Sequence, residues 1–128
     1  MVVIDTDILI WILRGNKDIK VKFVKVIDMT NGNLFITPIQ IAEIYSGIRD
    51  KERIETELFL SSFRNIDIDN KIGKIAGEYL NKYNKSHNIT ISDALIAACS
   101  KINSYLLWTL NIKHYPMIKD NELLVLKE

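Results

Sequence analysis

The chain has 128 residues, of which 48% are hydrophobic and 26% are charged, and its formal net charge is +1. This composition is too apolar for a disordered chain, and the length suits one domain over residues 1–128. A net charge this small gives no long-range attraction to nucleic acid or to an anionic membrane, so any contact with nucleic acid must be local.

The N-terminus and the single cysteine indicate the cellular compartment in which the protein is expected. The apolar residues 2–4 follow no basic segment and are interrupted by Asp5 and Asp7, so we expect neither a signal peptide nor a membrane span. Cys99 has no second cysteine to pair with, and its apolar neighbours indicate a core position. The expected location is therefore a reducing cytoplasm, with no membrane partner.

The first half of the chain is predicted to alternate strands with helices. Residues 2–4 form a β-branched run typical of a parallel strand buried on both faces. The strongest local signal is residues 37–40, because Thr37 can cap a helix, proline follows at its first position, and Gln40 closes a capping box. In chain order the predicted elements are a strand at 2–4, a helix ending near 13, a helix at about 18–29, a strand at 34–36, and helices at about 38–48 and 51–62.

The second half continues the same alternation. Its predicted elements are a short third strand at 66–68, a long helix at about 69–85, a helix that begins at 90–93 and runs through Cys99, a fourth strand at 105–108 and a fifth at 123–126. Strands separated by helices imply right-handed crossovers. The predicted fold class is therefore α/β: a three-layer α/β/α domain with a central parallel sheet of about five strands.

Three acidic residues stand where a folded domain has little structural use for a charge. Asp5 follows the first strand, Glu43 lies inside an otherwise apolar helix, and Asp93 precedes the apolar residues 94–98. Ligands of open parallel sheets bind beyond the carboxyl ends of the strands, where these acids are expected to meet. Carboxylates so close repel one another unless a cation such as Mg²⁺ or Mn²⁺ binds them, and a metal-bound water suits hydrolysis of a nucleic-acid backbone.

Each acid also has a purely structural interpretation. Asp5 is a suitable helix N-cap, Asp93 can complete a capping box with Thr90, and Glu43 can be an ordinary solvated helix residue. Five weaker candidates lie at the same edge. Asp7 is expected to support Asp5, and the hydroxyls of Thr6 and Thr109 can orient ligands or water, although threonine after a strand is more often a turn or cap residue. Lys113 and His114 can meet phosphate or can be ordinary surface residues.

Four ordered blocks of the sequence resemble the PIN-domain ribonucleases and, within them, the VapC-type toxins of toxin–antitoxin pairs. Each block is weak alone, but the ordered set is specific and spans nearly the full length. The blocks are residues 4–9 (IDTDIL), 41–48 (IAEIYSGI), 92–98 (SDALIAA) and 109–115 (TLNIKHY). The resemblance implies that Asp5, Glu43 and Asp93 are the metal-binding acids of a Mg²⁺- or Mn²⁺-dependent endoribonuclease with an RNA substrate.

The fourth block departs from the family pattern. Many members carry a further acid where this chain has Asn111. An amide can bind metal or water through its oxygen, but it brings no negative charge. The predicted catalytic set is therefore Asp5, Glu43, Asp93 and Asn111, and a second metal stays an open question.

The resemblance also implies two protein partners. One is a second copy of the chain in a homodimer, and the other is a cognate antitoxin whose tail occupies a groove near the acids. The apolar candidates for such contacts are Trp11, Leu58, Phe59, Leu60 and Phe63. For at least half of them, the favoured alternative is packing in the core.

Two other functions compete with this interpretation. One is a catalytically idle PIN-like domain that only binds RNA or a protein, and Asn111 is the feature that supports it. A phosphoacceptor receiver domain has similar length and an acid cluster, but no suitably placed lysine is apparent.

Overall fold

A parallel sheet of four strands organises the protein, whose computed structural model describes residues 1–126. The strand order is β3-β2-β1-β4, and every neighbouring pair is parallel. The strands are β1 (Val2–Ile4), β2 (Leu34–Ile36), β3 (Arg64–Asn65) and β4 (Leu106–Trp108). Because β1 lies between β2 and β4, the residues that follow these three strands meet at one edge of the sheet.

Six α-helices connect and flank the strands in the described part of the chain. They are α1 (Thr6–Leu13), α2 (Lys17–Thr30), α3 (Pro38–Ser46), α4 (Arg53–Ser61), α5 (Asn70–His87) and α6 (Ile91–Asn103). Short 3₁₀ turns occur at Asp50–Glu52, Ile112–His114 and Asp120–Glu122. None of the helices within residues 1–126 combines the length and the apolarity that crossing a membrane requires.

The helix starts agree with the capping signals in the sequence. The Asp5 side chain accepts a hydrogen bond from the Thr6 amide at the start of α1. Thr37 and Gln40 form the predicted capping box of α3, with proline at its first position. A second capping box joins Thr90 to Asp93 at the start of α6. These caps satisfy amide groups that would otherwise lack partners, and they fix where each helix leaves the edge of the sheet.

Helices cover both faces of the sheet, which gives the predicted three-layer architecture. Successive strand residues point to opposite faces, so Val3 packs with α5 and α6 while Val2 and Ile4 pack with α1 and α2. All three residues of β1 are buried, as expected of a central parallel strand. The α/β fold class and the parallel sheet are therefore confirmed.

Two predicted strands differ from the structure. The third strand is not at 66–68 but at Arg64–Asn65, and the amide of Ile66 makes one more hydrogen bond, to the Ile36 carbonyl. Burial of Ile66 in the core made the later segment resemble a strand. The predicted fifth strand at 123–126 is reduced to one bridge between Leu123 and Leu107, directly after a 3₁₀ turn. The extent of the single domain, residues 1–128, stays a prediction.

Candidate functional site

Asp5 occupies the centre of the candidate site, at the carboxyl end of β1. Its side chain is 7% exposed. Its Oδ1 accepts a hydrogen bond of 2.8 Å from the Thr6 amide, and its Oδ2 accepts one of 2.7 Å from the hydroxyl of Thr109, which follows β4. Burial raises the pKa of Asp5, the hydrogen bonds oppose that rise, and the negative charge of Asp93 adds to it.

Glu43 reaches the same region from the second turn of α3. The Thr6 hydroxyl donates a 2.8 Å hydrogen bond to Glu43 Oε1, so Thr6 contacts Asp5 with its amide and Glu43 with its side chain. Partial burial raises the pKa of Glu43, the Thr6 hydrogen bond opposes the rise, and the charges of Asp5 and Asp93 contribute to it. Glu43 is thus an exposed helix residue that nevertheless belongs to a cluster of acids.

Asp93 enters from the first turn of α6. Its Oδ2 accepts a 3.1 Å hydrogen bond from the Thr90 amide and lies 3.5 Å from Nδ1 of His114. The structural interpretation of Asp93 as a capping residue is therefore correct, and its charge also influences both Asp5 and Glu43. Capping and membership of the acid cluster are compatible in this geometry.

Asp7 is more closely tied to the site than its predicted supporting role required. Its Oδ2 accepts a 3.1 Å hydrogen bond from the Leu110 amide, which holds the loop after β4 against the start of α1. Burial and then the negative charge of Asp5 raise the pKa of Asp7 to about 6. A carboxylic acid with this pKa is partly protonated near neutral pH.

Asn111 lies in the loop that brings Thr109 to the site. Its backbone amide donates a 2.9 Å hydrogen bond to the Thr109 hydroxyl, which itself donates to Asp5. The Asn111 side chain is exposed to solvent, as is that of Lys113. The backbone of Asn111 is therefore linked to Asp5 through Thr109, and Asn111 lies at the surface whereas Asp5 is buried.

Tyr115 is a feature of the site that the sequence did not single out. Its side chain is 1% exposed, and its hydroxyl has no hydrogen-bond partner among the described residues. Burial raises the pKa of Tyr115, and the charges of Asp5, Asp93 and Asp7 raise it further, so the phenol keeps its proton. The only available signal was an aromatic residue soon after a strand at this edge, which is more often a core residue.

The chemistry of these side chains fits a hard divalent cation. Among residues 1–126, no lysine or arginine forms an ion pair with Asp5, Asp7 or Glu43. Carboxylate oxygens are the donors that Mg²⁺ and Mn²⁺ prefer, and a cation would relieve the repulsion that contributes to the raised pKa values. Among the described residues, no three Asp, Glu, His or Cys side chains are close enough together to coordinate one metal ion as they stand.

A groove of about 160 Å³ lies beside Glu43, between α1, α3 and α4. Its lining includes the apolar side chains of Ile10, Leu13 and Ile48, the acids Glu52 and Glu55, and the base Arg14. The site therefore adjoins a surface that combines apolar groups with charges, of which more are negative than positive.

The five apolar side chains predicted to contact partners divide into two groups. Trp11 and Leu58 are exposed, at 42% and 68%. Leu60 and Phe63 are buried in the core, and Phe59 packs its ring edge-on against Phe63. Core packing is therefore the role of Leu60 and Phe63, while the exposed pair remains available to a partner.

Comparison with known proteins identifies relatives over almost the whole chain. The family model described as PIN domain matches residues 2–113. "Ribonuclease VapC10" of Mycobacterium tuberculosis is 36% identical over 120 residues, which cover 93% of this chain and 89% of that protein. A toxin–antitoxin complex from Klebsiella pneumoniae contains a chain of similar fold, with a TM-score of 0.78, 21% identity and coverage of 98% and 97% of the two chains. VapBC2 from Rickettsia felis, bound to a DNA fragment from its promoter, matches with a TM-score of 0.71 and 25% identity over 97% and 96% of the chains.

Proposed function

This chain belongs to the PIN-domain family, and from that premise we propose that it is an endoribonuclease that hydrolyses RNA phosphodiester bonds as the toxin of a type II toxin–antitoxin system. The observation that carries the proposal is the pair of hydrogen bonds through which Thr6 joins Asp5 to Glu43, and the charge of Asp93, which raises the pKa of both carboxyls, supports it. The similarity to a ribonuclease at 36% identity supports the same activity.

In the proposed mechanism, Asp5, Glu43 and Asp93 would hold Mg²⁺ or Mn²⁺. When bound there, such a cation would activate a water molecule and stabilise negative charge on the phosphate. Thr6 and Thr109 keep the carboxylates oriented through the hydrogen bonds already described. Asn111 offers a neutral oxygen at the mouth of the site for water or the cation.

The residues nearest the solvent suit contact with the RNA backbone. Lys113 and His114 are both exposed, and His114 Nδ1 lies 3.5 Å from Asp93 Oδ2. The positive charge of Lys113 attracts phosphate although the whole chain is nearly neutral. We assign these two residues to substrate binding rather than to metal binding.

The proposal includes a cognate antitoxin as protein partner. The lining of the groove is apolar and carries three acids, Glu43, Glu52 and Glu55, against one base, Arg14, which favours an apolar segment that carries basic residues. An antitoxin arginine placed there can pair with the acid cluster and block the cation site. The toxin–antitoxin complex from Klebsiella pneumoniae, which contains a chain of similar fold, supports this partner.

The proposal also includes a homodimer and a cytoplasmic location. Light scattering on the purified chain measures the oligomeric state directly, and the expected mass is twice 14.8 kDa. The buried free thiol of Cys99 is compatible with a reducing compartment.

The decisive test is RNA cleavage by the purified chain in Mg²⁺ or Mn²⁺. We expect D5N, E43Q and D93N each to lower the cleavage rate by about 100-fold or more, since each removes a ligand charge. Glu78→Gln is the matched control, because Glu78 is an exposed helix residue on α5, outside the acid cluster. Unchanged cleavage by all three variants would contradict the proposed site.

The second candidate function is a catalytically idle domain that binds RNA or a protein. Asn111 favours it, because this position lacks the charge of a fourth acid. A folded chain without antitoxin that binds RNA in EDTA, yet leaves varied RNAs intact in Mg²⁺ and Mn²⁺, would decide for this alternative.

A further inference from the structure

The buried hydroxyl of Tyr115 is unexplained by packing. The residue follows the 3₁₀ turn at Ile112–His114, and its ring belongs to the core between the sheet and α6. Phenylalanine would fill nearly the same space without burying a polar group that has no partner. The presence of a hydroxyl therefore indicates an acceptor close to its position.

Asp5 is the acceptor that the surroundings of Tyr115 offer. After burial, three negatively charged side chains raise the pKa of the phenol: Asp5 first, then Asp93 and Asp7. The hydroxyl and the Asp5 carboxylate are close enough to influence each other, although the geometry falls short of a full hydrogen bond. Reorientation of the Asp5 carboxylate toward the hydroxyl would complete one.

Such a bond would be the third to the Asp5 carboxylate. The Thr6 amide already donates to Oδ1 and the Thr109 hydroxyl to Oδ2. A carboxylate has about four acceptor positions, so a third donor would leave one position free. With three donors bound, the Asp5 carboxylate would present its one free acceptor position to a cation in a single orientation.

We propose that Tyr115 is a positioning residue that donates a hydrogen bond to Asp5 and thereby fixes the orientation in which this carboxylate binds the divalent cation. The inference rests on the proposed metal-dependent function. It assigns no contact between Tyr115 and the substrate, because the hydroxyl is buried.

The test compares Tyr115→Phe with the unchanged chain in Mn²⁺ binding, measured by calorimetry. Groups that orient a metal ligand typically change affinity or activity by about 10-fold or more when removed. We expect Mn²⁺ to bind about 10-fold more weakly to Y115F, and kcat for RNA cleavage to fall with KM changed less than twofold. In EDTA, Y115F should stay folded with a urea midpoint close to that of the unchanged chain, because without the cation the hydroxyl has no full hydrogen bond to lose.

Tyr105→Phe is the matched control. Tyr105 stacks on Phe35 at 4.6 Å between ring centroids and immediately precedes β4, so it lies at the other end of that strand from Thr109. Loss of this hydroxyl should leave Mn²⁺ affinity unchanged. If Tyr115 acts through Asp5, adding Y115F to D5N should change the remaining Mn²⁺ affinity by less than twofold.

The outcomes separate this inference from the proposed function. Equal Mn²⁺ affinity and equal kcat in Y115F and the unchanged chain would overturn the role of Tyr115 alone, whatever the effect on the urea midpoint. An unchanged chain that binds no Mn²⁺ would overturn the metal site and this inference together.

Discussion

Two threonines determine how the acids of the site are presented. Thr6 contacts Asp5 and Glu43, and the Thr109 hydroxyl bonds Asp5 across 104 positions of the sequence. Hydrogen bonds between residues so far apart in the chain leave no local pattern. The sequence therefore predicted hydroxyls near the site, but it could not predict which carboxylate each hydroxyl would hold.

Replacement of Thr6 by valine tests this arrangement. The shape is nearly preserved, but Glu43 loses the 2.8 Å hydrogen bond that holds its carboxylate near Asp5. We expect RNA cleavage to fall by about 10-fold, since misplaced groups weaken catalysis, with a stability change of about 1 kcal/mol. Single-turnover rates and urea unfolding measure the two effects.

Thr30→Val is the control for that experiment. The Thr30 hydroxyl bonds only backbone carbonyls within α2, away from the site. Equal cleavage rates for T6V and T30V would show that Thr6 has no part in presenting Glu43.

The acids themselves were predictable because a charge beside apolar residues is costly unless it has a partner. Asp5, Glu43 and Asp93 could be selected on that ground. In the structure Thr6 joins Asp5 to Glu43, and the charge of Asp93 acts on both carboxyls. Tyr115 could not be selected in this way, because an aromatic residue after a strand is compatible with ordinary core packing. Its hydroxyl acquires significance only from the charges around it.

The start of α3 illustrates how an element is fixed in place. Gln40 is fully buried, accepts a hydrogen bond from the Thr37 amide and donates one of 2.9 Å to the carbonyl of Ile4. This side chain therefore joins α3 to the end of β1, directly before Asp5. The capping box was predictable from residues 37–40, but the bond to β1 was not, because it spans 36 positions.

Gln40→Leu is expected to destabilise the fold by about 2–3 kcal/mol, because the amide of Thr37 and the carbonyl of Ile4 would be left buried without partners. Urea unfolding monitored by tryptophan fluorescence measures the change. Ser46→Ala, at the exposed end of the same helix, should change the stability by less than about 0.5 kcal/mol. A loss equally small in Q40L would contradict the proposed link between α3 and β1.

The edges of the sheet were the least predictable elements. β3 contains two exposed residues, Arg64 and Asn65, so neither burial nor alternation marks it in the sequence. At the other edge, the apolar residues 123–126 resemble a strand, but only Leu123 pairs with Leu107. Central strands such as β1 were predictable because both of their faces are buried, which requires a continuous apolar run.

On the scale of the whole molecule, strand order assembles the site. Asp5 follows β1, Thr109 follows β4, and Glu43 belongs to the helix after β2. Since β1 lies between β2 and β4, residues about 100 positions apart become neighbours at one edge. The rule that parallel sheets bind ligands at this edge made the location predictable from element order alone.

This concentration of acids also predicts how stability depends on pH. Burial and the charge of Asp5 raise the pKa of Asp7 from 3.8 to about 6, and the pKa values of Asp5 and Glu43 are also raised. The folded chain then binds protons more tightly than the unfolded chain. In EDTA, the free energy of unfolding should therefore decrease as the pH rises from about 4 to above 6.

Asp7→Asn should make that decrease shallower, whereas Asp67→Asn, an exposed control, should not. The slope with pH is the quantity to compare, because an amide at position 7 also alters the hydrogen bond from the Leu110 amide. Urea unfolding in EDTA at several pH values between 4 and 8 measures it. Equal slopes for D7N and the unchanged chain would contradict the raised pKa of Asp7.

Addition of Mg²⁺ or Mn²⁺ should reverse the loss of stability at high pH. A cation that binds the folded acids but not the unfolded chain stabilises the fold by about 2.7 kcal/mol at 100 times its dissociation constant. The gain should be largest at pH 8, where the carboxylates are ionised, and smallest near pH 4, where protons compete with the cation. Unfolding curves at both pH values, with EDTA and with Mn²⁺, test this, and D5N should lose most of the gain. A gain that is the same at pH 4 and pH 8, or the same in D5N, would place the bound cation away from these carboxylates.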